Sequence, residues 1–223
     1  MPRRGHGEQP GEQRRPLPRL RRYGPAARWY DLLSLERPIY RAPRIRGISK
    51  LDLQPGERVL DIACGTGYNF PFLIRAVGPT GEVTGIDSSE AMLAGAGRRI
   101  SDSGWTNVTL RHGTAAELTR VNASSLPFDA VVITYALSIM DSWREVFEQS
   151  VAQLKPGGRL LVIDLAQPTG RWRPLAPLAR LACLAGGVHL SRRPWRLVAR
   201  DLRSARHEVA RGGHVHIAWG QKG

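Results

Sequence analysis

Cysteine is nearly absent: Cys64 and Cys183 are the only two in 223 residues. Two thiols make no disulfide framework, so packing must hold the core, and a reduced, cytoplasmic setting is expected. Lysine is almost as scarce; it stands only at positions 50, 155 and 222, and the other 30 basic residues are arginine. No long apolar run is present either. The longest, Leu175 to Leu190, is broken by Arg180, and a bilayer span needs about 20 apolar residues. The N-terminus lacks the apolar core of a signal peptide, and none is expected.

What is abundant is positive charge, and it is unevenly placed. The net charge is +14 overall, made of +9 in residues 1–50, −4 in 51–170 and +9 in 171–223. The centre is mildly acidic and both ends are basic. Such asymmetry suggests contact with a polyanion, with an anionic membrane surface preferred and nucleic acid second.

Residues 1–24 are rich in Arg, Pro, Gly and Gln and lack hydrophobic periodicity, so a disordered basic tail is expected. Residues 25–223 are long enough for one domain with a full core. Helical character runs from Ala26 to Glu36 and again from Tyr40 to Lys50. Pro55-Gly56 then turns into an alternation of strands and helices. Strands are expected over 58–63, 82–87, 108–111, 128–134 and 159–164. Helices are expected over about 69–77, after a Ser88 or Ser89 cap, and after an Asp141 or Ser142 cap. Phe128 to Thr134 is almost continuously apolar, as a central parallel strand covered on both faces should be. His207 to Ala210 and Val215 to Trp219 flank Gly212-Gly213, a hairpin signal. The expected fold is α/β, a doubly wound sheet that is mostly parallel with a C-terminal antiparallel hairpin.

The most informative stretch is Val59-Leu60-Asp61-Ile62-Ala63-Cys64-Gly65-Thr66-Gly67. It reads as a buried strand ending in an acid and turning through Gly-x-Gly into a helix. Glycines let a ligand approach the backbone without interference from a Cβ, and the free N–H groups of the helix start favour an anionic group. Asp87 follows twenty residues after Gly67, at the end of the second strand, where a carboxylate can accept from a ribose diol. A dinucleotide fingerprint would need a third glycine at position 70, but Phe70 stands there. Asp61 suits a cationic group such as an α-ammonium. The pair points to a cofactor carrying an adenosine-like ribose and a second charged end.

Asp-x-Ala-x-Gly-x-Gly resembles motif I of the class I S-adenosylmethionine (SAM) methyltransferases, with Ala63 in place of that family's first glycine. Gly85-Ile86-Asp87-Ser88-Ser89-Glu90-Ala91-Met92-Leu93, Phe128-Asp129-Ala130-Val131-Val132 and Leu154-Lys155-Pro156-Gly157-Gly158-Arg159 match further motifs in the family's order. The resemblance covers roughly residues 25 to 167. It implies a Rossmann-like fold, SAM as cofactor, and a loop of Ala63, Cys64, Gly65, Thr66 and Gly67 around the methionine moiety. Asp61 would face the ammonium, Asp87 would bind the ribose, and Ser88 and Met92 would lie beside the adenine. Thr114 stands where the family commonly has an acid, next to Ala115, and can accept from the adenine amino group through its hydroxyl. Thr134 and the following residues would line the methyl donor and the acceptor.

Methyl transfer from a sulfonium is an in-line displacement that asks the protein mainly to position the partners and exclude water. No nucleophilic side chain is required. Tyr135 and Tyr30 are the candidate catalytic residues, Tyr135 to orient an amine or take a proton through a water and Tyr30 to close over the cofactor. His214 and His216 share one strand face but have no evident third ligand, so no metal site is expected. The segment after the fourth strand lacks the Asn/Asp-Pro-Pro-aromatic signature of nucleic-acid amino methyltransferases. Residues 171–203 read as a basic amphipathic extension suited to a membrane interface. Thr134 to Arg144 resembles the phospholipid or betaine-lipid amine methyltransferases, and less closely the ubiquinone/menaquinone branch. The expected acceptor is a small or lipid-borne molecule, with a phospholipid amine at the inner membrane surface as candidate. The alternatives are an RNA methyltransferase recruited by the basic ends and a non-catalytic SAM-fold module.

Overall fold

The structure is a computed structural model and describes residues 39–114, 127–185 and 187–223. The tail expected over 1–24, the helix expected over 26–36, Tyr30 and Ala115 lie outside the described residues.

Seven strands form one sheet in the order β3-β2-β1-β4-β5-β7-β6. β1 (Arg58–Ile62), β2 (Glu82–Asp87), β3 (Val108–His112), β4 (Phe128–Thr134) and β5 (Leu154–Leu165) run parallel. β7 (Val215–Gln221) pairs antiparallel with both β5 and β6 (Arg203–Ala210). The late hairpin thus completes the sheet edge, with its second strand on the inside. This is a Rossmann-like doubly wound sheet.

Helices cover both faces. On one face Leu60, Ile62, Val131, Ile133, Leu160 and Val162 meet α4 (Trp143–Ala152) and α6 (Trp195–Asp201). On the other, Val59, Val132, Leu161 and Ile163 meet α1 (Arg41–Ser49), α2 (Phe70–Val77), α3 (Glu90–Ser103) and α5 (Ala176–Ala185). Side chains alternate across a strand, so Asp61 and Thr134 point to the same face as Val59 and Val132. That face carries α1 and the start of α2, which decides what surrounds Asp61. α3 begins as a capped helix should: the Ser89 hydroxyl accepts from the Met92 N–H at 3.3 Å, and Gly104 ends it in the left-handed conformation.

Three expectations need correction. β5 begins at Leu154, five residues before the expected start at 159. The pairing with β4 shifts between Phe128–Leu154 and Ala130–Arg159, so Pro156-Gly157-Gly158 is an irregularity within the strand rather than a loop before it. Ser142 does occupy the cap position of α4, but no side chain accepts from the helix there. Residues 171–203 are also not one interfacial helix. Their second half is core: Trp195, Leu197 and Val198 are buried, and the Trp195 ring stacks on His216 with centroids 3.8 Å apart. Among the described residues no helix is long and apolar enough to cross a membrane.

Candidate active site

β1 lies between β2 and β4, where successive connections leave in opposite directions. The carboxyl ends of the strands at such a switch point open a crevice for a ligand. The loop 63–67 fills the lip of this crevice. It is anchored by the Cys64 N–H donating to the Ile86 carbonyl at 3.0 Å and the Gly67 N–H donating to the Cys64 carbonyl at 2.9 Å. Ala63, Gly65 and Gly67 have φ of 54°, 56° and 81°, so three of five residues are left-handed. At Gly65 a Cβ would meet no atom within 4 Å; it would project into open space at the crevice. At Gly67 a Cβ would sit 2.6 Å from the Phe70 ring, so the helix start is packed as tightly as glycine permits. Cys64 is buried, and burial first, then the charges of Asp61 and Asp87, push its thiol far above the ordinary range. It packs in the core as a small apolar residue.

Asp61 is wholly buried. Asn69, just ahead of α2, donates its side-chain N–H to Oδ1 of Asp61 at 2.8 Å and to the Thr134 hydroxyl at 3.2 Å. Arg44 of α1 donates to Oδ1 of Asn69 at 2.6 Å and to the Thr134 hydroxyl at 2.9 Å. Oδ2 of Asp61 has no hydrogen-bond partner among the described residues. Burial raises the Asp61 carboxyl to about 7, against the lowering effects of the Asn69 hydrogen bond and the Arg44 charge. A buried carboxylate with one open oxygen is costly unless a cationic donor meets it.

Asp87 holds the other side of the loop. Its Oδ2 accepts from the Gly65 N–H at 2.8 Å and its Oδ1 from the Ser89 N–H at 2.9 Å. Burial raises its pKa, opposed by these backbone N–H groups and that of Ser88. A carboxylate offers about four acceptor positions, so capacity remains for a diol. Beside it, Met92 is buried and Ser88 is exposed, with the Ser88 carbonyl 3.1 Å from Nε2 of His112. Thr66 is buried, and its carbonyl accepts from the Arg99 guanidinium at 2.8 Å. Thr114 follows β3, half-buried, one residue after Gly113, whose N–H donates to the Asp87 carbonyl at 3.1 Å.

Tyr135 packs against Tyr40 and Arg44 at the end of β4. It follows β4 in the left-handed conformation, φ 57°, and its hydroxyl donates to the Tyr40 carbonyl at 3.0 Å. Its ring lies 4.9 Å from that of Tyr40, with the Arg44 guanidinium 5.1 Å above it. Four residues absent from the sequence reading therefore belong here: Tyr40, Arg44, Asn69 and Asp164. Asp164, buried at the end of β5, accepts from the Ser138 N–H at 2.8 Å and the Ser138 hydroxyl at 2.5 Å. Burial raises its carboxyl to about 6. It fixes the turn after Tyr135. The two histidines do not act together. The ring of His214 lies 2.7 Å from the Ala166 carbonyl, whereas His216 pairs with His207 at 2.8 Å.

These features fit a sulfonium nucleoside with an amino-acid end. Oδ2 of Asp61 would receive its ammonium, the space beside Gly65 its backbone-hugging chain, and Asp87 its ribose.

The Methyltransferase domain family matches residues 59–158. A demethylmenaquinone methyltransferase of Halalkalibacterium halodurans is 35% identical over 139 residues, covering 62% of this chain and 55% of that protein. One of Listeria monocytogenes is 38% identical over 116 residues, covering 52% and 48%. The chain thus spans about half the length of these relatives. A SAM-dependent methyltransferase of Aquifex aeolicus shares the fold, with a TM-score of 0.60 at 20% identity over 87% of this chain and 96% of the other. The matched domain begins within β1 and ends inside β5, so it contains the loop, both acids and the switch point. Over residues 59–158 the chain is similar to the methyltransferase domain, and its fold is that of the SAM-dependent methyltransferases.

Proposed function

We propose that this chain transfers the methyl group of SAM to a lipid-borne small molecule that it meets at a membrane surface. The observation that carries the lipid part is an apolar stripe. Trp172, Leu175, Leu178, Leu181 and Leu184 follow one another at intervals of three residues through the 3₁₀ turn Gly170–Leu175 and α5, and all are exposed. Leu178 and Leu181 are 68% and 67% exposed, which a soluble surface helix has no reason to tolerate. Arg171, Arg173 and Arg180 flank the stripe, as in helices that lie in anionic interfaces. A quinol ring is the favoured acceptor, because the relatives named above are demethylmenaquinone methyltransferases. A phospholipid amine is the alternative, supported by the resemblance of Thr134 to Arg144 to that branch.

The bound cofactor supplies the activated methyl group. The residues of the chain supply position. In this reading Asp61 takes the ammonium, Asp87 the ribose hydroxyls, and the loop 63–67 the amino-acid end, while Met92, Ser88 and Thr114 border the base. Arg44 holds Asn69 and Thr134 against Asp61 and keeps that wall rigid. Tyr135 presents a ring to the acceptor rather than a free base, since its proton is directed at Tyr40. Catalysis then rests on alignment and exclusion of water.

The test is transfer of labelled methyl from SAM by the full chain into a membrane-containing cell extract, followed by separation into lipid, RNA, protein and small-molecule fractions. Label in the quinone lipids is expected. Label in phospholipid supports the amine alternative, and label confined to RNA overturns the lipid reading.

A further inference from the structure

Five arginines converge on the sheet face covered by α4 and α6. Arg144 of α4, Arg192 and Arg193 ahead of α6, and Arg196 and Arg200 within it line an open groove of about 650 Å³, with Trp143 as one wall. Two of the five are engaged. Arg192 reaches Asp141 at 3.1 Å and the carbonyls of Ser138 at 3.2 Å and Met140 at 2.5 Å. Arg200 grips Asp201 through two bonds of 2.5 and 2.7 Å. Arg144, Arg193 and Arg196 form no ion pair among the described residues. The Arg144 guanidinium lies 4.3 Å over the Trp143 ring.

This arrangement is unfavourable as it stands. The guanidinium groups that share this groove carry like charges, which repel one another. Arg144 also stands in the first turn of α4, where the helix dipole adds to the cost. The core does not require these guanidinium groups; Trp143, Leu197 and Val198 do the packing there. An anion in the groove would convert the repulsion into binding. Arginine presents a planar fork that matches phosphate oxygens two at a time.

We infer that this groove binds a phosphoryl group, as a phosphate monoester or a diphosphate, through Arg144, Arg193 and Arg196. Arg192 is held by backbone carbonyls and sets the position of its neighbour. The site is separate from the leucine stripe, because α5 seats Cys183 in the core of the opposite sheet face. It is independent of the methyl-transfer reading. The same chemistry is offered by a soluble phosphate ester and by the headgroup of an anionic phospholipid.

The experiment titrates the full chain with pyrophosphate and with glycerol phosphate at constant ionic strength. In parallel it measures sedimentation with vesicles of phosphatidylglycerol in phosphatidylcholine. Saturable binding of at least one probe is expected. The Arg193→Gln, Arg196→Gln double variant should weaken it by roughly tenfold or more, the worth of one charge-assisted hydrogen bond, and Arg144→Gln should weaken it as well. The melting temperature of the unliganded variants should hold or rise, because repulsion is removed. A variant effect on the soluble probes alone assigns a soluble ester, and an effect on vesicles alone assigns a headgroup. No saturable binding by the wild type, or variants that bind as tightly as it does, overturns the inference.

Discussion

Asn69 donates to one oxygen of Asp61 at 2.8 Å, while the other oxygen of that wholly buried carboxylate has no partner among the described residues. The consequence is a charge the free protein resists and the cofactor rewards. Burial lifts the folded carboxyl from 3.8 to about 7. The native state therefore holds a proton that the unfolded chain has lost, across the window from about pH 4 to about pH 7. Stability from this group is full below that window and is lost as pH rises through about 7. Asp61→Asn should be more stable than the wild type at pH 8, by on the order of 4 kcal/mol at most, with the advantage shrinking below pH 6. SAM affinity should show the reverse: in the wild type it climbs from pH 6 to pH 8 as Asp61 ionises, and in Asp61→Asn it is weaker and flat. Thermal melts and titrations across pH read both.

Gly65→Val should abolish SAM binding while the fold survives. The new side chain meets no protein atom near its Cβ, so it does not disrupt packing but fills the crevice. The left-handed backbone at φ 56° adds a cost of about 1–2 kcal/mol. A circular dichroism spectrum like that of the wild type, with no heat on SAM injection, is the expected pair of results.

Ala63→Gly should be neutral to stabilising. Ala63 holds φ 54° where the family pattern has glycine. Relief of about 1–2 kcal/mol of left-handed strain outweighs the roughly 0.5–1 kcal/mol of entropy that glycine costs. Denaturant midpoints compare the two proteins directly.

Leu178→Glu with Leu181→Glu should strip the chain from anionic vesicles and leave its melting temperature within a degree or so, because both side chains are exposed and surface changes away from special features are worth little. Trp195→Ala should instead destabilise the protein, by about 3 kcal/mol, because that ring is buried against His216. Raised salt should weaken the vesicle binding of the wild type by screening its arginines.

The strands were legible where burial is continuous. β4 occupies 128–134 as expected, since a strand covered on both faces admits few polar residues. β5 was legible only from Arg159 onward, because Lys155-Pro156-Gly157-Gly158 carries the punctuation of a loop while the structure keeps it inside the strand as an irregularity, across which the pairing with β4 shifts. The loop, Asp61 and Asp87 were legible because they are local in sequence. Arg44, Asn69 and their shared contact with Thr134 were not: these bonds join residues 25, 65 and 90 positions apart. Trp195 lies in the stretch 171–203 that reads as a membrane-interface extension yet is buried in the core, because apolar residues among arginines read alike whether a core or a bilayer receives them.

The central claim is that Asp87 and the loop 63–67 together hold SAM, and calorimetric titration of the wild type and of Asp87→Ala with SAM and S-adenosylhomocysteine tests it most directly. Asp87 anchors Gly65 and Ser89 and would also accept from the ribose. Its loss should weaken both ligands by roughly a hundredfold, the worth of about two charge-assisted hydrogen bonds. Saturable wild-type binding with that loss in the variant is the predicted result; no heat from the wild type, or equal affinity in the variant, would contradict it.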